Sequence, residues 1–261
     1  MLPDFQRDRI DVVLVSPRNP LNIGAVARAM ANFGYSHLTV VAPYAPHWRE
    51  ARSAVGAPDL LQNAKATECL AEAVAACTFV AGTGTLTYRK PEQPVVSLPD
   101  LGPIVAQHLD RGGRIALVFG PEKHGLTRDD LSFCNVLIEI PTDPHQPSMN
   151  LGQAVAVCLY ELARMIPPRV DQTPSIVSEY GPIPRSPIQA GKINSPAPSG
   201  ALDLLAGLIE STMTAAGYSP RAMQSANRHD LRVLLRRLAP SALDTRRMLG
   251  FFRRIVSRLN R

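Results

Sequence analysis

The chain has 261 residues, 45% of them hydrophobic, which suits one α/β domain with a smaller second part and excludes global disorder. Aromatic residues make up only 5%, which disfavours a nucleic-acid-binding sheet of the RRM or OB type. The formal net charge of +6 is compatible with a polyanionic partner but does not establish one.

The cysteines and the lack of long apolar runs bear on location. The four cysteines stand far apart in apolar stretches without zinc-ligand spacing, which predicts buried, reduced thiols at Cys69, Cys77, Cys134 and Cys158. No uncharged apolar run approaches the length that spans a membrane, and the N-terminal segment has no apolar signal core. We therefore expect a soluble, cytoplasmic protein that binds no metal and contacts no membrane.

Strand and helix signals alternate along the first two thirds of the chain. Apolar, β-branched runs predict strands at 10–17, 37–43, 78–84, 114–121 and 135–141. Helical patterns lie between and after them, at 23–33, 59–76, within 98–110 and at 149–166. This alternation predicts an α/β fold, with a parallel sheet flanked by helices.

The composition changes after this region. Residues 169–199 are rich in proline and poor in large apolar residues, which predicts an extended or poorly ordered linker. Helical periodicity returns from residue 200 to the end and predicts two or three helices. The expected organisation is therefore a domain at 1–168, a linker at 169–199 and an all-α extension at 200–261.

The C-terminal extension is strongly basic. Residues 221–261 contain eleven arginines and two acids. A guanidinium matches phosphate oxygens, so this pattern predicts contact with a polyanion such as RNA, and we assign it to Arg232, Arg236 and Arg237. A solvated helix face or packing within a dimer would give the same pattern, and both alternatives remain open.

Three further segments lie where a predicted strand gives way to a turn or helix, the position at which open α/β sheets bind ligands. The first runs from Asn22 to Arg28. Gly24 and Arg28 are four residues apart and share one helix face. Gly24 permits a close backbone approach and Arg28 carries a fixed positive charge, although such an arginine alone is more often a surface residue or phosphate contact.

The second segment, Phe119-Gly120-Pro121-Glu122 through Gly125, predicts a tight loop after a strand. Its main-chain groups are suited to holding an adenine or an amino acid, and it lacks the pattern of a phosphate-binding glycine-rich loop. The third segment begins at Ile140 and continues at Ser148-Met149-Asn150. Ser148 or Asn150 would serve equally well as a cap of the helix that follows.

Together, the three segments resemble the motifs of the SPOUT methyltransferases, in the TrmH-like branch. The patterns are NxGxxxR after the first strand, FGPExxGL after the fourth, and IP followed by SxNL after the fifth. Their order and spacing match over residues 10–166. The stretch SPRNPLNIGAVARAM and the helical extension are most similar to those of the tRNA 2′-O-methyltransferases of that branch, which act in the anticodon loop. The stretch from Gly82 to Arg89 matches a GTSAR-like stretch of that branch only loosely, which leaves a role for Arg89 in doubt.

The resemblance implies a trefoil knot at the C-terminal end of the first domain and S-adenosyl-L-methionine as the methyl donor. The implied cofactor-binding residues are Thr83, Gly84, Thr85, Phe119, Gly120, Glu122, Gly125, Ile140, Ser148 and Met149. The implied catalytic residues are Arg28, Ser148, Asn150 and Glu122.

The resemblance also implies a homodimer in which Arg28 of one subunit completes the site of the other. Asn22 and Arg28 are expected to contact RNA, with tRNA as the substrate. Two alternatives stay open, namely 2′-O-methylation of rRNA and a knotted RNA-binding protein without catalysis. A nucleotide-dependent oxidoreductase is disfavoured because no GxGxxG opens the first helix.

Overall fold

The computed structural model describes residues 2–84, 91–164 and 195–260. Seven strands form one sheet with every neighbouring pair parallel, in the order β3-β2-β1-β6-β4-β7-β5. The strands are β1 (Ile10–Val15), β2 (His37–Val41), β3 (Lys65–Thr67), β4 (Phe79–Thr83), β5 (Val95–Ser97), β6 (Ile115–Phe119) and β7 (Val136–Glu139). The predicted parallel α/β fold is confirmed.

The central strands are buried on both faces, because apolar side chains cover each side of the sheet. Along β1, Val12 and Leu14 join one hydrophobic cluster, whereas Val13 and Val15 join another. Successive side chains of a strand point to opposite faces, so an uninterrupted apolar run is what a doubly covered strand requires. This is why the predicted strands read as continuous apolar runs.

Ten helices are described. They are α1 (Asp4–Arg7), α2 (Pro20–Phe33), α3 (Pro58–Gln62), α4 (Leu70–Ala73), α5 (Leu98–Asp110), α6 (Arg128–Leu131), α7 (Leu151–Arg164), α8 (Ser199–Ala215), α9 (Gln224–Leu238) and α10 (Ala242–Leu259). In α2 the Asn19 side chain accepts a hydrogen bond from the Leu21 N–H, and the helix ends at Gly34 in the left-handed conformation (φ 72°). Helices α2, α5 and α7 contribute buried side chains to the hydrophobic cluster that contains Val12 and Leu14.

The prediction of a single helix at 59–76 is wrong. The segment forms two short helices, α3 and α4, on either side of the edge strand β3. In β3, Lys65–Thr67 pairs with Thr39–Val41 of β2. The hydrogen bonds of the sheet edge override the helix propensity of the alanines, which tertiary context commonly does. The three-residue strand β5, which the sequence does not predict, pairs with β7 at the opposite edge.

The three helices α8, α9 and α10 match the helical pattern predicted for the C-terminal region. Most of the predicted linker lies outside the described residues. Its last residues are described: Pro196 pairs with Ser241, and α8 already begins at Ser199. The Ser199 N–H donates to the Cys77 carbonyl at 2.7 Å, so the start of α8 is bonded to the turn before β4.

Two arginines for which the sequence predicts RNA contact instead attach α9 to the α/β part. Arg236 is 4% exposed and donates to the Phe133 carbonyl (2.8 Å) and to Ser199 Oγ (2.9 Å). Its burial lowers its pKa to about 10. The prediction of RNA contact for Arg236 is wrong, because a side chain enclosed in this way cannot reach a phosphate.

Arg232 is in the same interface. Its guanidinium donates to Asp203 Oδ1 (2.7 Å) and Asp129 Oδ1 (2.9 Å) and lies 4.2 Å from the centroid of the Phe133 ring. These carboxylates already satisfy its charge, so the RNA prediction is wrong for Arg232 too. Arg237, next to Arg236, is exposed. Arginine content alone does not reveal which face of a helix is buried.

The structure confirms buried thiols at three of the four cysteines. Cys77, Cys134 and Cys158 are buried, and burial raises the pKa of Cys134 and of Cys158 to about 12. Cys69 is exposed just before α4, where the predicted long helix is replaced by a turn. Among the helices that the structure describes, none combines the length and apolarity needed to cross a bilayer.

Candidate active site

A cavity of about 630 Å³ lies at the carboxyl edge of the sheet. Strands β6, β4 and β7 are neighbours, so the loops that follow them meet at this edge together with the start of α7. Nine of the ten residues predicted to bind the cofactor line the cavity: Thr83, Gly84, Phe119, Gly120, Glu122, Gly125, Ile140, Ser148 and Met149. The tenth, Thr85, lies outside the described residues, as does Arg89.

The loop after β6 owes its shape to a close backbone contact. A Cβ at Gly120 would lie 2.3 Å from the Gly125 carbonyl carbon and 2.3 Å from the Leu126 nitrogen, so no larger residue fits. The Gly125 N–H donates to the Pro121 carbonyl at 2.9 Å, and Gly125 itself has a φ of 63°. The loop therefore turns back on itself and holds its main chain against the cavity.

Glu122 joins this loop to the loop after β1. Its carboxylate accepts hydrogen bonds from the Arg18 N–H (3.1 Å), the Asn19 N–H (3.3 Å) and Asn22 Nδ2 (2.8 Å). Partial burial by itself would raise the pKa of Glu122, but the bonds from Asn22 and the main chain outweigh it and lower the pKa. Glu122 is therefore an anchoring carboxylate that also lines the cavity.

Asn22 continues this network to the start of α7. Asn150 Nδ2 donates to Asn22 Oδ1 at 3.0 Å, and Asn150 Oδ1 accepts from the Gly152 N–H at 2.9 Å. Asn150 thus caps α7, and its amide also links the third predicted segment to the first. The three segments that the sequence singled out are joined by one chain of hydrogen bonds from Glu122 through Asn22 to Asn150.

Arg28 lies away from this network. It is exposed on α2 and is not among the described residues that line the cavity. The close approach expected at Gly24 does occur, but with the chain itself: a Cβ there would lie 2.2 Å from Ser53 Oγ and 2.8 Å from the Ala54 nitrogen. The structure brings together Glu122, Asn22 and Asn150, and leaves Arg28 outside.

Sequence reasoning missed some residues of the cavity. Glu139, the exposed last residue of β7, lines it, as do His124 and Thr142. The sequence around His124 predicts only an ordinary loop histidine, because no nucleophile or metal ligand stands near it. Glu139 could have been predicted from the sequence, because a carboxylate at the end of an apolar strand lies on the edge of the sheet where ligands bind.

A second group of polar side chains lies outside the cavity. Glu92, His229 and Asp230 come within 4.8 Å of one another, a spacing that suits a metal ion. Arg128 lies 3.0 Å from Glu92 Oε1 and 3.8 Å from Asp230 Oδ1. Its guanidinium already pairs with both carboxylates, so we interpret the group as an ion-pair network that joins α9 to the α/β part.

Comparison with known proteins connects this cavity to a family. Residues 9–160 match the model of the SpoU rRNA methylase family, a range that contains the sheet and all three motif segments. The chain belongs to this family. The resemblance stated from the three motifs is thereby confirmed, and the matched range includes the loops that surround the cavity.

Two relatives illustrate the match. Over 156 residues the chain is 42% identical to the tRNA (cytidine/uridine/adenosine-2′-O-)-methyltransferase TrmJ of Pseudomonas aeruginosa (strain UCBPP-PA14), which covers 59% of this chain and 60% of that protein. It is 37% identical over 169 residues to the uncharacterized tRNA/rRNA methyltransferase LasT of Escherichia coli (strain K12), covering 63% of this chain and 73% of that protein. The chain thus spans less than two thirds of the length of the TrmJ relative.

A solved structure extends the likeness to the C-terminal helices. The crystal structure of TrmJ from Z. mobilis ZM4 superposes with a TM-score of 0.76 at 28% identity. The match covers 96% of this chain and 99% of that one. Because the coverage includes the helical extension, the whole arrangement of sheet and trailing helices has a counterpart in that protein.

Proposed function

We propose that this protein is a methyltransferase that modifies a ribose 2′-hydroxyl of tRNA, in the anticodon loop and in the cytoplasm, with S-adenosyl-L-methionine as donor. The observation that carries the proposal is the cavity itself, formed by the three motif loops and joined by the Glu122–Asn22–Asn150 network. The name of the Pseudomonas TrmJ relative, a tRNA 2′-O-methyltransferase, supports the substrate class.

The residues of the cavity fit this donor. A volume of about 630 Å³ suits a nucleoside-sized ligand. Ile140 and Met149 provide apolar surface for an adenine, and the carboxylates of Glu122 and Glu139 suit a ligand with positive charges. The Gly120 main chain is held open to the cavity by a contact that a side chain would destroy. The donor, when bound, supplies an electrophilic methyl group on a sulfonium.

The protein then has to orient the ribose oxygen and help its proton to leave. A bound donor would supply the methyl group for the ribose oxygen, and the proton of the hydroxyl would pass to solvent water. A guanidinium is a poor base because it stays protonated, so we assign Arg28 to holding the adjacent phosphate and stabilising the developing alkoxide. Ser148, exposed at the cavity, is assigned to contacting the ribose or the donor.

This role for Arg28 requires a second copy of the chain. Arg28 does not line the cavity of its own subunit, and it stands on α2, which packs against α7. The exposed sides of these two helices carry Leu21, Val157 and Tyr160, with exposed fractions of 55%, 36% and 54%, as well as the exposed Arg28. We propose a homodimer through this face, in which Arg28 reaches the partner's cavity, and a trefoil knot at the end of the first domain.

Helix α10 is the part of the extension that we propose to contact tRNA phosphates. Arg247, Arg254 and Arg258 are exposed, and their spacing of seven and four places them on one face of the helix. Deleting residues 200–261 would be a poor test, because that change would also remove the buried Arg236 and uncover Phe133. Substituting only exposed arginines separates charge from packing.

We expect the double variant Arg254→Gln/Arg258→Gln to bind tRNA more weakly and to lower the slope of log affinity against log salt by about two. The control Lys65→Gln/Arg111→Gln removes the same charge from exposed positions elsewhere on the α/β part. Its affinity and slope should match the wild type. Equal losses in both variants would mean that net charge matters and α10 has no special contact.

The function itself is tested by incubating the wild-type chain with labelled S-adenosylmethionine and unmodified tRNA, then identifying nucleosides by mass spectrometry. We expect a 2′-O-methylated nucleoside from the anticodon loop, and its loss in Arg28→Ala with donor affinity unchanged. Methylation of rRNA but not tRNA would favour the first alternative. If calorimetry detects no binding of S-adenosylmethionine, the second alternative, an RNA-binding protein without catalysis, is favoured.

A further inference from the structure

Arg18 and Tyr44 are exposed side chains that follow two neighbouring strands beside the cavity. Strands β1 and β2 are parallel, with Val15 opposite Val41, so the loops after them start side by side. The Tyr44 N–H donates to the Pro17 carbonyl at 3.3 Å, and the Arg18 guanidinium carbon lies 5.7 Å from the centroid of the Tyr44 ring. These two side chains, here called the stacked pair, form one surface unit.

The backbone beneath the stacked pair is unusual. Ser16 and Ala42, the first residues after β1 and β2, both adopt the left-handed conformation, with φ of 45° and 41°. The Ser16 N–H donates to the Val41 carbonyl (2.8 Å) and the Ala42 N–H to the Thr67 carbonyl (2.9 Å), so the turns are held by the sheet. Residues with a side chain rarely adopt this conformation, and where they do they concentrate at binding sites.

The stacked pair is also open to a ligand. Tyr44 is 77% exposed, so one face of its ring is available even with the guanidinium beside it. Within the described part of the chain, no carboxylate pairs with the Arg18 guanidinium. An aromatic face beside an unneutralised guanidinium suits a nucleotide, because the ring stacks on a base and the cation contacts a phosphate.

A direct contact connects the stacked pair to the cavity. The Arg18 N–H donates to Glu122 Oε2 at 3.1 Å, and Glu122 lines the cavity. The main chain of Arg18 is therefore fixed to the cavity wall while its side chain extends to Tyr44. A nucleotide held at the stacked pair would be a close neighbour of one whose ribose faces the cavity.

We propose that Arg18 and Tyr44 form a stacking platform for one unpaired base of the RNA substrate, next to the nucleotide that is methylated. The inference rests on the proposed function and adds a substrate-binding subsite to it. The base lies on the open face of the Tyr44 ring, and Arg18 contacts the phosphate beside it. One ring is enough for this role, which is compatible with the low aromatic content of the chain.

A fluorescent variant tests the platform without relying on catalysis. Tyr44→Trp keeps a stacking ring and introduces a reporter, and the native Trp48 is 2% exposed and gives a constant background. We expect unmodified tRNA transcript to quench the emission of Tyr44→Trp with the same saturation as RNA binding. The control Tyr218→Trp, at a site that is 78% exposed in the connection between α8 and α9, should not respond. Unchanged emission of Tyr44→Trp while a gel shift shows bound RNA would overturn the platform.

Kinetics give a second, independent readout. Tyr44→Ala should raise the KM for tRNA about tenfold, as the loss of one base-stacking contact does, with kcat and donor affinity unchanged. Tyr44→Phe keeps the ring and should have the KM of the wild type, and the control Tyr218→Ala should also have the KM of the wild type. A KM for Tyr44→Ala equal to that of the wild type would contradict the proposal.

The two proposals fail in different ways. If the wild type transfers no methyl group to RNA, the proposed function is wrong, and quenching of Tyr44→Trp still decides whether a base stacks there. If the wild type binds no RNA at all, both proposals are wrong. If methylation is normal and Tyr44→Trp is unresponsive, only the platform is wrong.

Discussion

Asn22 shows how a single amide can connect distant segments. Its Nδ2 donates to Glu122 and its Oδ1 accepts from Asn150, so it joins residues that are at least a hundred positions away in the chain. An amide is suited to this place because it both donates and accepts. The family resemblance implies an RNA contact for Asn22, whereas the side-chain hydrogen bonds that the structure describes for it lie within the network that surrounds the cavity.

The carboxylate of Glu122 makes the network sensitive to acid. Its pKa is lowered in the folded chain, so its stabilising contribution is complete above the ordinary value of 4.5 and is lost as the pH falls through the lower, folded value. We expect Glu122→Gln to reduce the free energy of unfolding by about 1 kcal/mol at pH 7, allowing for solvent screening. The difference from the wild type should shrink between about pH 5 and about pH 3 in urea titrations.

Glu139→Gln is the matched control for this measurement. Glu139 lines the same cavity but is exposed, and no hydrogen bond of its side chain is among those described. It should therefore unfold like the wild type at pH 7. A difference between Glu122→Gln and the wild type that stays constant with pH would show that the carboxylate charge is not what stabilises the network.

Two adjacent arginines should respond very differently to substitution. Arg236→Ala leaves the Phe133 carbonyl and the Ser199 hydroxyl without their donor and opens a gap, so we expect a loss of about 2–4 kcal/mol. Arg237→Ala removes an exposed side chain and should cost less than about 0.5 kcal/mol. Equal unfolding midpoints for the two variants would mean that Arg236 does not hold α9 in place.

At the scale of elements, tight backbone contacts decide where the loops lie. The loop after β6 approaches itself at Gly120, and α2 approaches the segment at 51–54 at Gly24. Both glycines belong to the motifs that carry the family resemblance. One of them shapes the cavity directly, and the other places the helix that carries Asn22 and Arg28.

We expect Gly120→Ala to raise the dissociation constant for S-adenosylmethionine at least about tenfold, because its Cβ would lie 2.3 Å from two backbone atoms and force the loop to move. Gly250→Ala is the control. Gly250 lies within α10, and a Cβ there would meet no atom within 4 Å, so alanine should stabilise the chain by about 0.5–1 kcal/mol and leave donor affinity unchanged. Titration calorimetry measures the donor affinity of both variants. Equal affinities of Gly120→Ala and the wild type would show that the Gly120 contact does not shape the site.

At the scale of the whole molecule, the position of Arg28 has a consequence for assembly. If its charge acts in a partner's cavity, two inactive variants can complement each other. Arg28→Ala has an intact cavity, whereas Met149→Arg fills the cavity and places a cation against the sulfonium. A mixed dimer contains one site with an intact cavity and an intact Arg28.

We therefore expect an equimolar mixture of refolded Arg28→Ala and Met149→Arg to regain about a quarter of the wild-type rate, since half of the dimers are mixed and each has one good site. The rate of methyl transfer to tRNA measures this. Each variant refolded alone serves as the control. A mixture as inactive as its components would mean that Arg28 acts in its own subunit or that the chain does not form this dimer.

The amino-acid sequence was enough to predict the parallel fold and about half of the residues that line the cavity. Buried strands need continuous apolar runs, and glycines and a proline mark the strand ends, so both signals are local and visible in one dimension. The same reasoning found Glu122 and Asn150. It did not reveal that they are joined, because their link passes through Asn22 across the sheet edge.

Other features depend on contacts between segments that are distant in the chain. The alanine-rich segment at 59–76 became an edge strand between two short helices because β2 offered hydrogen bonds there. Arg232 and Arg236 became packing residues, whereas Arg254 and Arg258 stayed exposed, because the face a helix buries depends on what it packs against. Composition reports which groups a chain carries; partners distant in sequence determine which of them remain free to bind.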